Sequence, residues 1–120
     1  ELPCVTVVND QEGRLTFADQ MAAAILHLLD VRAPHGTYDM TGSGAVRTWA
    51  DIARRAFEVA NGNGDAVVPV STAEYYASAK GPVAPRPEHS ALDLSKLEAT
   101  GFSPRDWEEQ LEEYLAHLVG

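Results

Sequence analysis

A chain of 120 residues, 45% hydrophobic and 22% charged, has the make-up of one globular domain able to bury a core. Its net charge of −9 excludes non-specific nucleic-acid binding, because no basic surface is available to neutralise phosphates. Nothing approaches the roughly 18 consecutive apolar residues of a membrane span, so neither nucleic acid nor membrane is an expected partner and cytoplasm is the expected compartment.

The opening run, Leu2 to Val8, reads as a strand from its first residues, with no preceding cap or turn, as expected of a piece of a longer protein. Within it, Cys4 to Val8 is apolar and β-branched enough for a strand buried on both faces of a parallel sheet. Cys4 has no partner for an internal disulfide and reads as a small buried hydrophobe in a reducing environment. Asn9 to Gly13 breaks the strand with turn-forming residues. Thr16 followed by Asp19 then predicts a capped helix that ends near Asp30 and buries Phe17, Met21, Ala24, Ile25 and Leu28.

Thr37 to Thr41 predicts a second strand, closed by Gly42-Ser43-Gly44. Thr48 with Asp51 repeats the capping pattern and opens a second helix. Its buried stripe is Trp49, Ile52, Ala53, Ala56 and Ala60, Arg54, Arg55 and Glu58 lie on a solvated face, and Asn61-Gly62 supplies a left-handed stop. Val67 to Ser71 predicts a third strand, kept short or at an edge by Pro69.

From Gly81 to Asp93 the prolines at 82, 85 and 87 forbid helix and interior strand, leaving a stiff, extended loop. Arg86 stands between two of those prolines, with the hydroxyl of Ser90 close behind. A planar cation on a rigid backbone suits a phosphate or a carboxylate. The plainer reading is a surface linker whose arginine is merely solvated. Beyond the loop, Asp93 caps a short helix through Leu94 and Leu97 that closes at Gly101. Ser103 as cap, with Pro104 at the first helical position, predicts the last helix. That helix buries Trp107, Leu111, Tyr114, Leu115 and Leu118 and turns its glutamates to water. Alternating strands and helices make an α/β fold of short parallel strands with amphipathic helices, one unit over residues 1–120 without internal repeat. Three strands are few for a complete doubly wound sheet.

Several chemical patterns fail on inspection. Tyr76-x-x-x-Lys80 has the spacing of a short-chain dehydrogenase pair, but no glycine-rich nucleotide fingerprint precedes it, so it reads as a coincidence. Gly42-Ser43-Gly44 lacks the third glycine and the lysine of the known phosphate cradles. His27, His35, His89 and His117 show no metal-ligand spacing among themselves or with Cys4. No catalytic residue and no metal site are therefore expected. One constellation survives: Gln11, Arg14 and Thr16 leave the carboxyl end of the first strand, and Arg86 and Ser90 follow the third. In a parallel sheet these segments would line one crevice.

In order along the chain come Val-Val-Asn-Asp-Gln-x-Gly-x-x-Thr (7–16), Gly-x-Tyr-x-x-Thr-Gly-x-Gly (36–44) and Trp-Ala-Asp-Ile-Ala-Arg (49–54). Thr-Ala-Glu-Tyr (72–75), Ala-Pro-Arg-Pro-x-x-Ser-x-Leu-Asp (84–93) and Lys-Leu-Glu-Ala-Thr-Gly-Phe (96–102) follow. This succession resembles the carboxyl-terminal part of the dTDP-4-dehydrorhamnose reductases, a family of extended short-chain dehydrogenases. Arg14-Leu15-Thr16-Phe17 departs from the family's commoner Pro-Thr and looks more like the form fused to a 3,5-epimerase domain. The resemblance implies a parent that reduces the 4-keto group of dTDP-6-deoxy-L-lyxo-4-hexulose with NADPH to give dTDP-L-rhamnose. It places the NAD(P)-binding Rossmann half and the catalytic Tyr-x-x-x-Lys upstream, so the chain alone would be inactive and would hold no cofactor. Arg86 takes the role of a diphosphate ligand by this resemblance, and Gln11, Thr16 and Ser90 fall on motif positions near the sugar nucleotide. Arg14 occupies a variable motif position. The strand of Tyr38 would extend the upstream sheet, and its free edge predicts self-association. Two other readings stand beside this one, a non-catalytic relative like the regulatory subunit of methionine adenosyltransferase and an acidic interaction module.

Overall fold

The computed structural model describes residues 4–119, so Leu2 and Pro3 of the expected first strand lie outside the described residues. In chain order the elements are β1 (Val5–Val8), β2 (Glu12–Gly13), α1 (Ala18–Asp30), β3 (Arg47–Thr48) and α2 (Trp49–Asn61), followed by β4 (Val67–Val70), α3 (Thr72–Tyr75), α4 (Ser95–Glu98) and α5 (Trp107–Val119). β1 and β4 pair in parallel, Val5 opposite Val67 and Val8 opposite Val70, with α2 as the crossover that parallel pairing requires. β2 and β3 form a separate antiparallel pair, so the sheet is not parallel throughout.

Capping fixes the best-defined helix. The Thr48 hydroxyl accepts the Asp51 N–H at 3.2 Å, and Gly62 closes α2 in the left-handed region at φ 75°, where a side chain would be strained. α2 lies against α5, and one core cluster forms between them from Ile52, Trp107 and Leu111, flanked by Leu15, Phe17 and Trp49. Trp107 is 1% exposed, and its indole N–H donates to the Ala45 carbonyl at 2.6 Å. A second cluster joins Ala24 of α1 to Met40 and Leu97, with Leu28 and Phe102 packed on it. Arg55 is not merely solvated: it pairs with Glu58 on its own helix and with Glu112 of α5, tying the two helices together.

Several expectations need correction. Cys4 and Thr6 are exposed and the valines of β1 only half-buried, because α2 covers one face of the strand pair and the other stays open. Thr37–Thr41 is not a strand: its last two residues are buried, but no ladder forms along it. Tyr38 donates its hydroxyl to the Pro34 carbonyl at 2.7 Å and lies under the Lys96 ammonium. α1 has no side-chain cap; Thr16 donates to the Thr41 hydroxyl at 3.0 Å, and Asp19 accepts the N–H of the adjacent Gln20. α5 starts at Trp107 rather than near Pro104, and Asp106 caps it by accepting the Glu108 and Glu109 N–H groups.

The chain forms a slab of 49 × 40 × 21 Å with a radius of gyration of 16.9 Å. A compact chain of this length has a radius of gyration of about 14 Å. The thin dimension accounts for the apolar side chains left outside. Met21 and Ile25 of α1 and Tyr114 and Leu118 of α5, all expected in the core, are exposed, as are Leu26 and Leu29. No helix among the described residues is long and apolar enough to cross a membrane.

Candidate functional site

A cleft of about 380 Å³ opens beside the parallel strand pair. Thr6, Val7 and Val8 of β1 form its floor, and Gln11, Trp49, Tyr75, Tyr76 and Arg86 line it. Gln11 follows the carboxyl end of β1, and the two tyrosines follow that of β4, the position at which α/β sheets hold ligands. The tyrosine rings meet edge to face, 5.0 Å between centroids. Aromatic faces, a carboxamide and one guanidinium are the groups that bind a planar base, a sugar and a phosphate.

The walls are held by a small polar network. Asp10 accepts the Thr72 N–H at 3.0 Å and the Thr72 hydroxyl at 2.5 Å, and Gln11 donates its amide to the same hydroxyl at 3.0 Å. These bonds lower the Asp10 pKa, the hydroxyl contributing most and the main-chain N–H next. Ser71 and Glu74 form a reciprocal capping box that starts α3 and sets Tyr75 and Tyr76 at its end.

The structure brings Gln11 and Arg86 into one cleft and puts the other expected residues elsewhere. The Thr16 hydroxyl is engaged with Thr41, and that of Ser90 donates to the Glu12 carbonyl at 2.7 Å. Arg14 reaches the Leu92 carbonyl at 2.6 Å and the Gly44 carbonyl at 3.4 Å. Trp49, Tyr75 and Tyr76 were not singled out as site residues from sequence. Trp49 fits the stripe of α2, Tyr75 stands at no spacing that marks a ligand site, and Tyr76 falls in a Tyr-x-x-x-Lys pattern that points to other chemistry. Tyr76 and Lys80 do not share a helical turn: α3 ends at Tyr75, and Lys80 lies beyond a turn, exposed.

Gly42-Ser43-Gly44 is no phosphate cradle. The Gly42 N–H donates to the Leu15 carbonyl and the Ser43 N–H to the Arg105 carbonyl, so the loop's amides close the fold on itself. Engaged in this way, the Gly42 and Ser43 amides are not available to a phosphate. Hollows of about 350 and 430 Å³ flank α5, but their linings mix arginine and carboxylate. Arg105 is held by Glu113 at 2.6 and 3.0 Å, and Arg55 by Glu58 and Glu112. No group of three or more metal-ligating side chains occurs among the described residues.

Residues 2–119 match the family model described as RmlD substrate binding domain. The chain is 35% identical over 121 residues to dTDP-4-dehydrorhamnose reductase of Streptomyces griseus, covering 97% of the chain and 38% of that protein. It is 31% identical to a probable dTDP-4,6-dihydroxy-2-methyloxan-3-one 4-ketoreductase of Streptomyces antibioticus, covering 96% and 37%. Among solved structures, a dTDP-4-dehydrorhamnose reductase of Clostridium acetobutylicum superposes with a TM-score of 0.79 at 31% identity, covering 97% and 39%. The reductase of Bacillus anthracis, solved in complex with NADP, gives 0.76 at 30%, covering 94% and 37%. The chain thus spans little more than a third of the length of these relatives. From the matching motifs, the parallel α/β core and the family model over nearly its whole length, the chain belongs to the RmlD substrate binding domain family.

Proposed function

We propose that this chain is the sugar-nucleotide-binding part of an NADPH-dependent dTDP-4-dehydrorhamnose reductase. The reaction is reduction of the 4-keto group of dTDP-6-deoxy-L-lyxo-4-hexulose to dTDP-L-rhamnose. The observation that carries the reading is the cleft itself, where Arg86 stands with Gln11 and three aromatic rings beside the carboxyl ends of β1 and β4. Arg86 meets the diphosphate, Trp49, Tyr75 and Tyr76 give flat surfaces to base or sugar, and Gln11 supplies an amide to the ligand's polar edge. Thr16 and Ser90, with hydroxyls engaged inside the fold, support the cleft from behind. The nicotinamide cofactor and the proton-transfer residues belong to the part of the enzyme that the relatives have in addition.

The test is Arg86→Ala in the protein at its full encoded length. Loss of a charge-assisted contact should weaken dTDP-sugar binding by ~1.5–3 kcal/mol. An unchanged KM and kcat would remove Arg86 from the site.

A further inference from the structure

The segment from Ala77 to Asp93 is exposed throughout and holds no helix or ladder strand, yet it carries the one guanidinium that lines the cleft. Something outside the segment has to fix it. Its contacts with the body gather on two residues. The Glu12 N–H donates to the Glu88 carbonyl at 2.7 Å, while the Glu12 carbonyl accepts the Ser90 N–H at 2.9 Å and the Ser90 hydroxyl at 2.7 Å. His89 Nδ1 lies 3.0 Å from the Glu12 carboxylate. Just past the end of β2, the Arg14 guanidinium grips the Leu92 carbonyl and reaches across to Gly44. The fit is close: a Cβ on Gly13 would stand 3.0 Å from the Ser90 hydroxyl.

Between the pinned Glu88 and Arg86 lies a single residue, Pro87. Its ring fixes its own φ and drives Arg86 into extended conformation. With those rotations removed, a displacement at Glu88 is absorbed less freely by the backbone before it reaches Arg86.

We propose that Arg14 and Ser90 are positioning residues, which clip the proline loop onto β2 so that Arg86 meets the diphosphate of a nucleotide in the cleft. This rests on the function proposed above. It also gives Ser90 a different task from ligand contact and gives a task to Arg14, which the motif comparison leaves variable.

The experiment measures dTDP and thymidine affinities by calorimetry for the protein at its full encoded length, as Arg14→Ala, Arg14→Lys, Ser90→Ala and Arg86→Ala, and as doubles with Arg86→Ala. Loss of a clip bond should weaken dTDP about five- to tenfold, leave thymidine unchanged, and add nothing once Arg86 is gone. Equal loss for both ligands, or losses that add to that of Arg86→Ala, would show a merely structural role and overturn the proposal. A weak Arg86→Ala variant beside unaffected Arg14 and Ser90 variants would overturn the clip and leave the cleft reading intact. An Arg86→Ala variant with unchanged dTDP affinity would end both. If Arg14→Ala does not fold, Arg14→Lys and Ser90→Ala decide the matter, since lysine keeps the charge but cannot span both carbonyls.

Discussion

Thr72 gives both its main-chain N–H and its hydroxyl to the Asp10 carboxylate, joining the end of β1 to the start of α3 across 62 positions of chain. The tyrosines that wall the cleft sit at the far end of α3, so this pair sets the distance between the two sides of the site.

The pair also predicts a pH dependence. Asp10 has its carboxyl lowered by the Thr72 hydroxyl first and the Thr72 N–H second, and Asp93 and Glu113 are lowered as well, by the Ser95 main-chain N–H and the Arg105 guanidinium. A carboxyl lowered on folding contributes stability above its unfolded pKa, about 4, and that stability is lost as pH falls through the folded value. The Tm should therefore decline below about pH 4.5, and Asp10→Asn should flatten part of the decline. Melting curves from pH 3 to 6 check this; identical slopes for the two proteins would exclude Asp10 as a contributor.

Trp107 separates apolar burial from hydrogen bonding. The side chain is 1% exposed and donates to Ala45. Trp107→Ala removes the ring and should cost ~3–5 kcal/mol. Trp107→Phe keeps most of the packing and strands the Ala45 carbonyl, so it should cost ~1–2 kcal/mol. Urea unfolding should rank the two in that order, and equal losses would mean that the indole N–H carries the site.

What was legible in the sequence follows the range of the interactions. Thr48 with Asp51 and Asn61-Gly62 report on neighbours within a turn, and each caps or stops a helix as expected, while Asp93 accepts the Ser95 N–H from one residue before the N-cap, Leu94. β-Branched runs mark extended chain but do not say what pairs with it. So Val5–Val8 and Val67–Val70 are strands, while Thr37–Thr41 forms no ladder. Periodicity likewise gives an apolar face to α1 without saying how wide a covering it meets: Ala24 and Leu28 are packed, and Ile25 is 52% exposed. For the site, the proline spacing makes Arg86 conspicuous. Trp49 is concealed in a helix stripe and Tyr76 in a misleading motif. Ser90 has the right residue type for a ligand, and only three-dimensional contact assigns its hydroxyl to Glu12.

Lys80 tests the misleading motif directly. A dehydrogenase lysine must stand one helical turn from its tyrosine to lower the phenol's pKa. Here the chain leaves the helix before Tyr76, and Lys80 is exposed. Lys80→Met in the protein at its full encoded length should leave kcat and its pH profile unchanged. A collapse of kcat with a displaced pH profile would restore the pair to the chemistry.

Gly42 is a glycine for want of space rather than for backbone freedom. A Cβ there would lie 2.7 Å from the Leu15 carbonyl oxygen and 2.9 Å from the Trp107 Cβ. One obstacle is backbone and the other is the base of a buried side chain, so neither can swing aside. Gly42→Ala should cost ~1–3 kcal/mol by overpacking and should alter the near-ultraviolet signal of Trp107. Gly62 offers the contrasting case: open space surrounds it, but its φ is 75°. Gly62→Ala should cost only about 1 kcal/mol of backbone strain and leave the tryptophan signal as it was. Urea midpoints and near-ultraviolet dichroism of the two variants separate the causes. A Gly42→Ala protein with an undisturbed Trp107 would mean that the loop moves away from the helix, and the close approach would then not be what holds α5 in place.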